Sequence, residues 1–169
     1  MQREQLSIPK MALYLIYAII FYAVQSSLFG AWSFRGFHLD LLPAFVAAAA
    51  LLDGPAEGAV VGIVIGLLYD VSMSGPDGLY PLFFLAFGLL AGALSSLSLS
   101  RNYISMLMLN AGEMLVLDLL RYFCYLLPQK GASFLLVLQQ TVGGILMASV
   151  LCFIVYVPMR IVSRAFTAS

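Results

Sequence analysis

Charged residues are scarce in this chain of 169 residues, where they make up 9% of the sequence. Eight basic and eight acidic residues balance, so the chain has no excess of positive charge with which to bind nucleic acid. The single histidine, His38, lies in a predicted loop, and the two cysteines lack the spacing of a metal site. These shortages leave little material for catalysis, and we expect no catalytic residue, no metal and no cofactor.

Hydrophobic residues are correspondingly abundant, at 63% of the chain, and the mean hydropathy of +1.02 is far above that of a soluble domain. Long apolar runs follow one another with only short breaks, which is typical of an integral membrane protein. The first run continues to Phe29 without a cleavage-type sequence, so it is interpreted as a retained transmembrane helix rather than a signal peptide. The prediction is an all-α protein with a single membrane domain over residues 1–169.

Six apolar segments predict six transmembrane helices, at about 11–29, 39–52, 56–71, 79–99, 103–127 and 134–158. Four of them have the ~20 residues that a crossing requires. The second is short, because only the twelve uncharged residues 41–52 separate Asp40 from Asp53. Twelve residues make about 18 Å of helix. That length alone favours a re-entrant or buried helix.

Charge placement nevertheless favours six crossings. Arg3 and Lys10 precede the first segment, and Arg160 and Arg164 lie at the end of the last. Basic residues favour the cytoplasmic side, so both termini are expected there, which requires an even number of crossings.

Aromatic residues gather near the breaks on the predicted outer side of the membrane. Tyr69 and Tyr80, which flank the break after the third segment, are among them. Such clustering predicts a belt of aromatic side chains at the membrane surface.

Glycine recurs every fourth residue in the third segment, at Gly54, Gly58, Gly62 and Gly66, and the next step of four reaches Asp70. Small residues at this spacing clear one face of a helix, so that another backbone can approach closely. Two interpretations stay open, internal helix packing and a groove for another protein. A carboxylate at the end of that face needs a partner.

The fifth segment carries a polar stripe. On a helical wheel Asn110, Glu113 and Arg121 share one face, with Asp118 at its margin. A charge at membrane depth costs at least ~2.5–3.5 kcal/mol, so these residues are expected to face the protein interior and to pair. Arg121 can pair with Asp118 in the same helix or with Asp70 across helices.

Glu113 lies near the middle of the fifth segment, with no basic residue at a comparable depth. We expect its carboxyl group to be protonated and hydrogen-bonded, for instance to Asn110, or to Gln139 or Gln140 of the sixth segment. A structural role, a polar pocket and a contact with a partner protein all stay open for this residue.

One stretch of the chain resembles a known family. It reads Ala50-Leu51-Leu52-Asp53-Gly54-Pro55, then Gly58, Gly62, Gly66-Leu67-Leu68-Tyr69-Asp70, and then Gly78-Leu79. This pattern resembles the bacterial rod shape-determining protein family MreD, which carries a glycine run ending in Leu-Leu-x-Asp, a turn and a Gly-Leu pair. The resemblance implies that the signature positions here are Gly58, Gly62, Gly66, Asp70 and Gly78, with a role in the fold or in docking a partner.

The resemblance also implies a function. Proteins of this family are non-enzymatic subunits of the cell-elongation machinery, which builds peptidoglycan at the bacterial inner membrane. They associate with the bitopic protein MreC and work beside the actin-like MreB, the glycosyltransferase RodA and a class B penicillin-binding protein, within membrane lipid.

The fold of that family is similar to the substrate-binding subunits of energy-coupling-factor vitamin transporters. The alternative expectation is therefore a subunit of such a transporter. The first helix of those subunits typically carries an alanine pair at spacing four, which the alanines here, Ala12, Ala18 and Ala23, do not provide.

Overall fold

A computed structural model describes residues 8–29, 40–72, 78–97, 100–126 and 134–167. These residues contain no strand, and their six α-helices are α1 (Ile8–Phe29), α2 (Leu42–Asp53), α3 (Pro55–Ser72), α4 (Leu79–Leu97), α5 (Tyr103–Arg121) and α6 (Phe134–Thr167). The chain continues from α5 through one π-helical turn, Tyr122–Leu126. The predicted all-helical class is confirmed, and α6 continues past its predicted end at 158.

Four of these helices, α1, α4, α5 and α6, contain segments long and apolar enough to cross a membrane. They are compatible with a multi-pass membrane protein. The 12 residues of α2 make a helix of about 18 Å, well short of the ~30 Å hydrocarbon core. Crossing of the membrane by α2 and α3 therefore stays a prediction.

Successive helices run in opposite directions between two ends of the bundle. At one end, Lys10 near the start of α1 and Ser163 near the end of α6 both contact Asp53, the last residue of α2. Ser95, late in α4, donates a hydrogen bond to the Ala50 carbonyl at the same end. We call this the Lys10 end and the opposite one the Asp70 end. The first and last described helices therefore start and finish at the Lys10 end.

Helix α2 is the centre of the bundle, because all of its residues are buried. It contacts α3, α4, α5 and α6, and its alanine run 47–50 allows these neighbours to approach closely. Pro43 lies in the first turn, where the missing N–H costs no helical hydrogen bond. At the other end Gly54 has a φ of 113°, which lets the chain turn directly into α3.

The glycine face of α3 packs against α4 within the same chain. A Cβ atom added at Gly62 would overlap the carbonyl oxygen of Phe84, and one at Gly66 would overlap the backbone of Pro81. Nearer the Lys10 end, Gly58 lies against Gly88 in the same way. Of the two interpretations that the sequence left open, the structure has internal packing along this face.

Tyr69 and Tyr80 lie in the core rather than at the membrane surface. Both are 2% exposed, and their rings pack at 5.5 Å between centroids. The Tyr69 ring also lies 5.0 Å from the Phe84 ring. The predicted aromatic belt is therefore wrong for these two residues, because close packing of α3 on α4 encloses their rings.

Candidate functional site

Asp70 fastens the end of α3 to the start of α4. Its Oδ2 accepts a hydrogen bond of 2.7 Å from the backbone N–H of Gly78, the residue just before α4. A carboxylate at a helix N-terminus is also favoured by the helix dipole. Gly78 has a φ of 82°, in the left-handed region that favours glycine. The carboxylate at the tip of α3 is thus held by a backbone N–H of its own chain.

The predicted alternative of an Asp70–Arg121 ion pair is not what the structure shows. Arg121 instead pairs with Asp118, with 3.7 Å between Nη1 and Oδ1. The Thr141 hydroxyl of α6 donates a 2.8 Å hydrogen bond to the other oxygen of Asp118. The pair is partly exposed, so it contributes at most about 1 kcal/mol to stability.

At the Lys10 end, a buried polar group joins three helices. Asp53 accepts hydrogen bonds of 2.6 Å from the Tyr14 hydroxyl and of 2.6 Å from the Ser163 hydroxyl. The Lys10 Nζ lies 3.1 Å from Asp53 Oδ1, and the side chains of this pair are 11% and 3% exposed. We call Lys10, Tyr14, Asp53 and Ser163 the Asp53 cluster. It fastens α1 and α6 to the turn between α2 and α3.

The Asp53 cluster was not predicted from the sequence. Lys10 was interpreted as a marker of membrane topology and Asp53 as a turn residue, and Tyr14 and Ser163 had no predicted role. One available signal was the spacing of Lys10 and Tyr14, which places both on one face of an apolar helix. A buried lysine needs a carboxylate, and Asp53 is the acidic residue at the matching end of the next helix.

The polar stripe of α5 divides into two parts. Asn110 and Glu113 are buried in the interior, at 1% and 0% exposure. Asp118 and Arg121 lie further along the helix, toward the Asp70 end, where they are partly exposed. The stripe therefore contributes two fully buried polar residues at mid-helix and an ion pair near the helix end.

The hydrogen bonds expected for Glu113 are absent from the described part of the chain. Neither of its carboxyl oxygens has a hydrogen-bond partner there, and the same holds for the Asn110 side-chain oxygen. The Asn110 amide nitrogen lies 3.7 Å from the Met114 sulfur instead. Gln139 and Gln140 are exposed on α6. The hydrogen bonds expected for Glu113 were therefore wrong. A helical wheel shows which way a side chain points, but it does not show whether the side chain reaches a partner.

Asp40 and Cys152 lie near enough to Glu113 for electrostatic interaction. Helix geometry is consistent with the electrostatic interaction between Asp40 and Glu113. Asp40 precedes Asp53 by thirteen residues, so it lies about 20 Å from the Lys10 end, while Glu113 lies ten residues, or about 15 Å, along α5 from the same end. The short length of α2 therefore brings a second carboxyl group to the depth of Glu113.

Asp40 itself has partners. Its Oδ1 accepts a 3.2 Å hydrogen bond from the Leu42 N–H at the start of α2, and the Arg121 charge acts on it. Glu113 has no such counter-charge among the described residues. We call Asp40, Asn110 and Glu113 the Glu113 cluster. In the described ranges no group of three or more His, Cys, Asp or Glu is placed to hold a metal ion.

Comparisons with protein families, with curated proteins and with solved structures give no match to this chain. The class that the fold defines is an all-helical protein with four helices suited to crossing a membrane. Its two buried polar groups, the Asp53 cluster and the Glu113 cluster, lie at different depths along the bundle.

Proposed function

We propose that this chain is a non-enzymatic scaffold subunit of the bacterial cell-elongation machinery, of the MreD type. It lies in the inner membrane with six crossings and both termini in the cytoplasm, in a fold similar to the energy-coupling-factor substrate-binding subunits. It binds a bitopic partner of the MreC type and, directly or indirectly, MreB, RodA and a class B penicillin-binding protein.

One observation supports this proposal above the others: the residues that carry the resemblance act together. Gly58, Gly62 and Gly66 form the α3 surface against α4, and Asp70 holds Gly78 at the start of α4. A shared run of this kind is expected where a family retains one helix pair. A glycine run that arose by chance in an apolar helix would not be expected to come with an acidic residue at its end and a Gly-Leu pair after the turn.

The same observation narrows how the signature serves partner binding. Because α4 occupies the glycine face of α3, a partner helix cannot lie there without displacing α4. We therefore assign the signature to the fold and place the partner contact on other surfaces of the bundle. The signature supports docking by keeping the helix pair rigid.

The direct test is co-purification from native bacterial membranes in a mild detergent. A tagged full-length chain is isolated, and the proteins that elute with it are identified. We expect a protein with one transmembrane helix and a periplasmic domain, together with elongation proteins. Recovery of monodisperse chain with none of these would refute the proposal.

A matched pair of variants separates loss of fold from loss of contact. Gly62→Leu places a large side chain against the Phe84 backbone, whereas Leu67→Ala trims a side chain that is 53% exposed on the other face of α3. We expect Gly62→Leu to lower both the amount of folded protein and the amount of partner recovered with it. Leu67→Ala should leave the amount of folded protein unchanged. Unchanged partner recovery with Gly62→Leu would contradict the assigned role of the glycine face.

The alternative, a transporter subunit that binds a small molecule, has one observation in its favour. The carboxyl group of Glu113 and the amide oxygen of Asn110 are buried acceptors without donors among the described residues, as expected of a ligand site waiting to be filled. Co-elution with ATP-hydrolysing subunits, or with a bound vitamin, would support this alternative over the scaffold.

A further inference from the structure

The buried middle of the bundle contains three hydrogen-bond acceptors with no described donor. They are both carboxyl oxygens of Glu113 and the side-chain oxygen of Asn110. The two residues lie three apart on α5, and therefore on one face of that helix. Three acceptors without a donor on one helix face would be stabilised by a proton or by a bound cation.

The need for a proton or a cation is strong because the site is shut off from water. Glu113 is 0% exposed. An isolated carboxylate in such a place is strongly disfavoured, and so is a buried polar group that has no hydrogen-bond partner. Ionisable residues inside membrane proteins accordingly pair or mark an ion pathway. No described basic side chain acts on Glu113, so pairing within the described chain does not meet this need.

The second carboxyl group sharpens the requirement. Asp40 lies close enough for its charge to act on Glu113, and it approaches from the start of α2. Repulsion between two carboxylates is relieved by a cation between or beside them. Cys152 of α6 also lies near enough to interact with Glu113, and a thiol supplies no positive charge.

We propose that the Glu113 cluster binds a small monovalent cation, for which sodium is the probe, through the Glu113 carboxylate and the Asn110 side-chain oxygen. These are hard oxygen ligands, which suit alkali and alkaline-earth cations rather than zinc or copper. One positive charge balances the one carboxylate that lacks a partner, whereas a divalent ion would leave net positive charge buried.

The location gives the bound cation a structural effect. Asn110 and Glu113 belong to α5, Asp40 leads into α2, and Cys152 is on α6. A cation held there binds the folded bundle and not the unfolded chain, so it stabilises the fold by mass action. This role is independent of the proposed scaffold function, and its test needs no partner protein.

The test compares sodium chloride with N-methyl-D-glucamine chloride at equal ionic strength and one fixed pH. The full chain in detergent is heated, and unfolding is followed by labelling of the buried thiol of Cys152, in a Cys124→Ser background that removes the exposed thiol. At a sodium concentration ten times the dissociation constant, the melting temperature should rise by about 3–6 °C over the organic cation. Titration should be saturable.

Two variants locate the effect. Glu113→Gln keeps the side-chain shape but removes the charge, and the sodium-dependent shift should disappear. Asp118→Asn removes a carboxylate of the same helix, one that already has partners within the chain. The sodium-dependent shift in melting temperature should persist in this variant.

Equal melting temperatures of the unmodified chain in the two salts would overturn the proposal, whatever the variants do. A shift that survives in a folded Glu113→Gln variant would overturn it as well. Dependence on pH without dependence on sodium would assign the site to a proton rather than to a metal cation, and would also refute the proposal.

Discussion

Replacing Gly62 with alanine should destabilise the bundle, although alanine is the better helix former. Gly62 lies in the middle of α3, where the backbone of α4 is nearest. The added Cβ would overlap the Phe84 carbonyl oxygen and lie 2.7 Å from the Phe84 carbonyl carbon and 3.2 Å from the Leu85 nitrogen. All three are backbone atoms, so no side-chain rotation relieves the overlap.

The magnitude follows from two opposed effects. Carbon atoms pack best at about 3.5–4.0 Å, so α3 and α4 must separate by about 1 Å at this point. Overpacking of this kind costs about 1–3 kcal/mol, and separation also loosens the contacts at Gly58 and Gly66 along the same face. Alanine recovers at most about 1 kcal/mol of helix propensity. We expect a net loss of about 1–2 kcal/mol, or a fall in melting temperature of about 2–8 °C.

The matched control is Gly112→Ala on α5. A Cβ there meets no atom within 4 Å, and the residue is exposed. Only the propensity effect remains, so stability should be unchanged or should rise by up to about 1 kcal/mol. Both variants are compared with the unmodified chain by thermal unfolding in one detergent. A Gly62→Ala protein as stable as Gly112→Ala would refute the close contact between α3 and α4.

Two further predictions concern the polar contacts. Asp53→Ala should lower the free energy of unfolding by about 3–5 kcal/mol, because it leaves Lys10 buried without its carboxylate. The control variant Asp118→Ala should lower it by about 1 kcal/mol or less. Similar losses for the two variants in denaturant unfolding would contradict the burial of the Asp53 cluster. Gly78→Ala should cost about 1–2 kcal/mol because alanine disfavours its φ of 82°. Asp70→Ala should cost about 1–3 kcal/mol through the lost acceptor, and a neutral result in thermal unfolding for both would argue against the Asp70–Gly78 contact.

Much of the fold could be predicted because it depends on properties local in sequence. Apolar runs gave all six helices, with boundaries that agree closely for α3 and α4, whereas α5 ends at Arg121 rather than at 127. The spacing of the glycines predicted a close helix contact, and the helical wheel correctly placed Asn110 and Glu113 toward the interior. These features can be predicted because helix periodicity does not depend on which neighbour packs against a given face.

The remainder depends on which distant residues meet. The Asp53 cluster joins positions 10, 14, 53 and 163, and no pattern in a single sequence links them. The partner of Asp70 was not predicted, because a carboxylate suggests a charged partner such as Arg121, whereas Oδ2 accepts its hydrogen bond from a backbone N–H eight residues later. Burial of Tyr69 likewise follows from how near α4 lies, which residue type does not reveal.

The enclosure of α2 has a consequence for how the protein is made. Twelve residues are too few to anchor in a bilayer alone, and this helix has no side left for lipid once the bundle is complete. During synthesis it emerges before α4, α5 and α6, the helices that later surround it. The enclosure of α2 is therefore complete only once the C-terminal half of the chain has been made, and a nascent chain halted after α3 would leave part of the α2 surface uncovered.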